Sequence, residues 1–164
     1  MGTRHLIEVK LDGELKVAQY GQWDGYPTGQ GVGIAKFLHG QIEAEKFKEA
    51  LHACHFMTKE EMEAFDEEYS GKDWKQTHPW LSRDAGSDIL LHVQNDGARA
   101  LVDDREFKND HTFCEYHYLI DMDSGLVHGM ARPVNLKNAS IELIQRFEPS
   151  AVFSEPIPDT AKGT

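Results

Sequence analysis

The chain has little of what usually announces a chemistry. It holds two cysteines, Cys54 and Cys114, far apart and without the CxxC spacing of a zinc or redox site. Nothing at its N-terminus resembles a signal peptide, and no apolar run approaches the roughly 20 residues that a membrane-spanning helix requires. A reducing, cytoplasmic setting without membrane contact is the expectation. Positive charge is scarce too: 17 Lys and Arg stand against 28 Asp and Glu, a formal net charge of −11. Nucleic-acid binding through a broad basic face, which works by displacing phosphate counterions, is not expected from such a chain. There is no GxSxG elbow, no HExxH helix, no Cys-His signature and no repeat period.

What is present reads as one ordinary domain. With 164 residues, 40% hydrophobic and 27% charged, the chain is large enough to build a core without disulfides or a metal. His5–Leu11 alternates as a half-buried strand with His5, Ile7, Val9 and Leu11 on one side. Asp12-Gly13 is a favoured two-residue turn. A three-residue loop ending at Glu14 would instead pair Val9 with Val17 and Leu11 with Leu15, gathering the apolar side chains on one face, and this longer loop is the preferred reading.

Helices are expected over 34–39 and 42–54. Thr58 and Glu61 form a capping box for another, with Met62, Phe65 and Tyr69 as its buried stripe. Ser82 is the expected N-cap of a fourth, running to Asn95-Asp96-Gly97, and Gly86 within it suggests close backbone packing. Leu101-Val102 starts a short strand, whereas 103–110 is too charged to assign. Residues 112–121 and 126–131 form a second hairpin. The segment 141–147 is read as a strand, with a short helix as the alternative. Two hairpins separated by helices make an α+β fold, a mostly antiparallel sheet with helices packed on it, spanning 1–148; residues 149–164 form a loosely held tail.

Against this background the stretch 16–33, KVAQYGQWDGYPTGQGVG, is unusual. It crowds Gln19, Tyr20, Gln22, Trp23, Asp24 and Tyr26 together and then dissolves into glycines before a helix. Flat aromatic faces with hydrogen-bonding edges, amides that both donate and accept, and one carboxylate are the equipment of a small-molecule or peptide site. The competing reading is an aromatic plug closing the sheet, with Asp24, Gly25 and Pro27 as turn residues. Gln19, Gln22, Trp23, Asp24, Tyr26 and Gly31 are the candidate ligand-binding residues. The passage 29–33 could offer free N–H groups to an anion at a helix start, although its spacing matches no phosphate-binding fingerprint and a flexible loop is the plainer reading. His52, Cys54 and His55 are better read as a buried thiol with two surface histidines than as metal ligands. Asp110, His111, Glu115, His117 and Asp121 cluster around the second hairpin without forming a triad motif. No metal and no cofactor are expected.

The blocks TRHLI, QYGQWDGYPTGQG and FCEYHYLIDMDSG together resemble a family of small uncharacterised proteins of phage and bacterial genomes, found also in fungi. The resemblance covers 3–38 and 113–125. It supplies a grouping without an activity, and implies by association a phage-encoded protein directed at a host protein. A looser, architectural likeness is to the N-terminal-nucleophile hydrolases, which cleave amide bonds with an amino-terminal Thr, Ser or Cys. That likeness implies Thr3 as nucleophile, after processing beyond Met1 and Gly2. The first expectation is thus a cytoplasmic binding protein for a small polar ligand or a partner's peptide segment, and the alternative is an amide hydrolase.

Overall fold

The computed structural model of the chain describes residues 2–110 and 112–123, together with the backbone course of 126–129. The expectations for His111, for a strand at 141–147 and for a tail at 149–164 fall outside these residues.

The fold is α+β. Strands β1 (His5–Leu11), β2 (Glu14–Gly21), β5 (Tyr116–Asp121) and β6 (Leu126–Gly129) form one sheet in the order β2-β1-β5-β6. Both hairpins, β1-β2 and β5-β6, are antiparallel as expected, but they join through a parallel pairing of β1 with β5. Two short strands, β3 (His55–Phe56) and β4 (Ala100–Leu101), make a separate parallel pair.

The first hairpin resolves the conflict over its turn. The loop is the two-residue Asp12-Gly13, both at positive φ, yet Val9 still pairs with Val17. A register shift after Val9 makes this possible, because Lys10 pairs with Leu15 and leaves Lys16 as the extra residue of a bulge. The Asp123 carboxylate from the second hairpin accepts hydrogen bonds from the backbone N–H groups of Asp12 (2.6 Å) and Gly13 (2.8 Å), tying the two turns together.

Helices cover one face of the sheet. The core there gathers Ile7, Val9 and Ile120 from the strands against Phe37, Phe47 and Leu90 from the helical layer. Residues 27–41 are helical throughout, α-helical only at α1 (Val32–Lys36) and wound as wider π turns at Pro27–Gly31 and Phe37–Gln41. Helix α2 spans Ala44–Ala53 and buries Phe47, Ala50 and Leu51. Helix α4 is shorter than expected, Asp88–Asn95. Gly86 sits at φ +55, which breaks the helical path, so Ser87 and not Ser82 precedes it. Helix α3 (Lys59–Tyr69) has the expected capping box, with Thr58 Oγ1 accepting from the Glu61 N–H and Glu61 reaching back to Thr58. Its expected buried stripe is absent: no residue of α3 is buried, and Met62 is 44% exposed.

The charged segment left unassigned is a 3-10 helix, Arg105–Asn109, and it lies on the second face of the sheet. Phe107 meets Tyr20 edge to face at 4.8 Å. Strand β1 is therefore buried on both sides, a correction to its reading as half-buried: Leu6 and Glu8 are as inaccessible as Ile7. Burying Glu8 would by itself raise its pKa, but His117 Nε2 at 2.5 Å and Lys108 Nζ at 2.9 Å outweigh that and hold the carboxyl below its ordinary range.

Two outcomes follow for this cluster. Replacing His117 with Leu leaves the buried Glu8 carboxylate with Lys108 alone and should cost about 2 kcal/mol of unfolding free energy, read by urea titration at pH 7. Because the folded-state pKa of Glu8 is depressed, its contribution is present above pH 4.5 and disappears as pH falls through the folded value, so this cost should shrink in the acid range.

Candidate functional site

The end of β2 and the turn after it are held from several sides. Gln22 N–H donates to the Arg83 carbonyl (3.0 Å), and Gly25 N–H donates to the Thr3 carbonyl (2.9 Å). The Tyr118 hydroxyl, on β5, donates to the Gly25 carbonyl at 2.7 Å. Gln30 bridges the turn to α4: its Nε2 donates to the Trp23 carbonyl (3.0 Å), and its Oε1 accepts from Ser87 N–H (2.7 Å). The Asp24 carbonyl accepts from Gln30 N–H (2.8 Å), which closes the loop on itself. Three stretches distant in sequence meet here, through Thr3 and His5, the 19–31 stretch, and Tyr118.

His5 is the pivot beneath this loop. Its ring is fully buried, on the core face of β1 opposite Gly21. A Cβ at Gly21 would overlap the ring, and one at Gly25 would crowd it, so both glycines are there for close approach. Neither ring nitrogen has a hydrogen-bond partner among the described residues. Burial pushes the pKa from 6.5 down to about 4, outweighing the nearby Trp23 backbone and Asp24 carboxylate, which favour the charged form.

The candidate residues divide into two groups. Gln19 is buried, its Nε2 donating to the carbonyls of Trp80 (2.9 Å) and Ser82 (3.2 Å), while its Oε1 has no partner. Gln22 is half-buried and accepts from the Tyr20 hydroxyl. Gly31 is buried within the helical segment. The first N–H groups of that segment are already taken: Gly29 N–H donates to the Tyr26 carbonyl and Gln30 N–H to that of Asp24. The expected flexible glycine loop is thus a helical turn, and those two N–H groups are not available to an anion.

Trp23, Asp24 and Tyr26 form the other group and face outward. Trp23 is 44% exposed and Tyr26 38%, so neither plugs the core. Trp23 Nε1 donates to Asp84 Oδ1 (2.7 Å), and Lys75 Nζ lies 3.3 Å from the other Asp84 oxygen; these two contacts hold that carboxyl below its ordinary range. The Tyr26 hydroxyl donates to Asp24 Oδ1 (2.9 Å), which raises the tyrosine pKa. Asp24 itself sits at φ +55, a left-handed conformation uncommon for a residue with a Cβ. The sequence did not single out Gln30, Asp84, Ser87 or Tyr118, whose roles depend on contacts with distant parts of the chain.

The remaining candidates disperse. His52 faces Asp12 (3.3 Å), His55 faces Glu61 (2.8 Å), and the buried Cys54 donates its thiol to the Ala98 carbonyl. Among the described residues no group of three His, Cys, Asp or Glu is placed to hold a metal. Around the second hairpin, Asp110 accepts from the turn N–H groups of Thr112 and Phe113, Glu115 from Arg4 N–H, and Asp121 pairs with Lys10. Cys114 is pushed up to about 11 by burial and by the acidic groups around it, the wrong direction for a nucleophile. No helix among the described residues is long and apolar enough to cross a membrane.

His5 gives this region an acid signature. Above pH 6.5 the imidazole is neutral folded and unfolded alike. Between 6.5 and about 4 the unfolded chain takes up its proton first, so stability present above 6.5 is lost on acidification, by up to about 3 kcal/mol. Urea midpoints between pH 7 and 4.5 should fall accordingly, and His5→Leu should flatten that slope. Comparisons of the chain with protein-family models, with curated proteins and with solved structures found no match.

Proposed function

We propose that the protein is a binding module that recognises a partner's peptide segment through Trp23, Asp24 and Tyr26. One observation carries the reading: the backbone beneath these side chains is hydrogen-bonded on several sides, yet two large aromatic rings and a carboxylate are left facing outward. A rigid loop presenting exposed aromatic rings binds without the cost of ordering itself, and Trp and Tyr are the side chains most often found at the energetic centre of interfaces. The left-handed backbone at Asp24 fits the same reading, since such conformations concentrate where a side chain must be aimed. Peptide recognition is favoured over a small enclosed ligand because Trp23, Asp24 and Tyr26 lie on the outer surface. The resemblance to phage-borne proteins makes a host protein the source of that segment.

Nothing in the site favours the amide-hydrolase alternative in the same way. Thr3 lies within the chain, its carbonyl bonded to Gly25, and Gly2 before it lies against the Gln22 carbonyl.

Selection of peptides from a displayed library against the full chain supplies the probe. Trp23→Ala and Asp24→Ala should each weaken the selected peptide by about 30-fold or more, as a central interface residue does, while the circular dichroism and urea midpoint stay near those of the parent. Unchanged affinity in both variants would overturn the reading.

A further inference from the structure

Helix α3 is the least embedded element of the helical layer, and a cavity lies beside it. The helix is strongly acidic, with Glu60, Glu61, Glu63, Asp66, Glu67 and Glu68 on it. Its aromatic residues are held by other rings and not by the main core: Phe65 stacks on Tyr69 (4.6 Å) and meets Trp74 edge to face (5.7 Å, 77°) and His78 (5.2 Å, 80°). In front of Phe65 and Trp74 a half-open space of about 190 Å³ remains, bordered by Met57, Met62, Leu81 and Val102. Asp66 is the single acidic residue lining it. Among the described residues Asp66 has no hydrogen-bond or ion-pair partner, in contrast to Glu61 one turn before, which holds His55.

We propose that this cavity is a second binding site, for a methylated ammonium group. The lining selects that chemistry. Aromatic faces and polarizable thioethers attract a cation, and quaternary ammonium groups are recognised by such rings elsewhere in proteins. An anion is opposed by Asp66 and the acidic helix. A compact, strongly hydrated ammonium or metal cation would have to shed water against apolar walls, whereas methylation removes most of that hydration and leaves an apolar surface. The size also fits: a cavity of about 150 Å³ accommodates a benzene-sized guest, and a choline-sized cation is only slightly larger. The group could arrive on a free small molecule or on a methylated lysine side chain of a protein, and both present the same chemistry to the cavity.

Calorimetric titration of the full chain separates the possibilities. The probes are choline, its neutral isostere 3,3-dimethylbutan-1-ol, a trimethyl-lysine peptide and the same peptide unmethylated. The cationic methylated probe should saturate the site and bind about tenfold or more tighter than its neutral or unmethylated counterpart. Saturation by choline identifies a small-molecule ligand; saturation by the methylated peptide alone identifies a side chain. Asp66→Asn, at an exposed position where the fold should tolerate it, should weaken binding about fivefold to tenfold, whereas Trp74→Leu should abolish it and is checked for folding by circular dichroism. Equal binding of choline and its neutral isostere, no effect of Asp66→Asn, or no saturation by either cation below about 10 mM would each overturn the proposal.

Discussion

Strand β5 enters the sheet beside β1, parallel to it and in register from His5 opposite Tyr116 to Lys10 opposite Asp121, and the long-range contacts around the candidate site follow from that alignment. It carries Tyr118 to the Gly25 carbonyl and His117 to Glu8. It also sets the second hairpin's Asp123 over the Asp12-Gly13 turn of the first. Parallel neighbours cannot be joined by a tight turn, so the chain between β2 and β5 must travel away and return. That excursion contains all the helices among the described residues, which is why the helical layer and the loop over His5 are fixed by the same pairing.

Strand β1 solves the burial of two titratable groups in opposite ways. His5, on the core face, has no hydrogen-bond partner for either ring nitrogen among the described residues and is kept neutral by desolvation. Glu8, on the other face, is kept charged by hydrogen bonds from His117 on β5 and Lys108 on the 3-10 helix. The difference follows from what each face can offer. The core side is lined by glycines and apolar side chains, whereas the second face is covered by the charged segment Arg105–Asn109, which supplies Lys108. Both groups lose stability on acidification, His5 between pH 6.5 and about 4 and Glu8 below 4.5, so the fold is tuned toward neutral pH without any exposed ion pair having to matter.

Local signals in the sequence were sound where the decisive contacts are local. Alternation marked β1 and β2, and aromatic and β-branched density marked β5; Thr58 and Glu61 marked the start of α3; Asn95-Asp96-Gly97 marked the end of α4. Period-two alternation, however, says nothing about which strand lies alongside, so the parallel β1-β5 pairing was invisible. The same blindness made β1 look half-buried, since nothing in Arg105–Asn109 announces a segment that covers a sheet. A helical periodicity through Leu81, Ala85 and Ile89 masked the left-handed turn at Gly86, although the close packing expected of that glycine is real, with the Gln30 side chain where its Cβ would stand. The stripe Met62, Phe65 and Tyr69 has the correct spacing for a buried face, but it meets a cavity and a cluster of rings instead of the core. For the candidate site, residue type identified the region while burial divided it: a glutamine can line a ligand site or hold two carbonyls inside a fold, and only the positions of Trp80 and Ser82 decide that Gln19 does the second.

This division accounts for the density of polar and aromatic residues between positions 19 and 30. Gln19 and Gln30 use their amides on backbone groups of the 80–87 segment, Gln22 accepts from Tyr20, and Gly21 and Gly25 make room for His5. Those residues hold the loop together with Tyr118, which donates to the Gly25 carbonyl. Among the described residues the side chains of Trp23 and Tyr26 make one hydrogen bond each, at the ring edge, and the two residues remain 44% and 38% exposed. An exposed indole that is already oriented loses little rotamer freedom when something packs against it, and the apolar area it then buries contributes almost undiminished. The scaffold and the proposed recognition surface are thus different residues of one short stretch, and the first group holds the backbone from which the second is exposed.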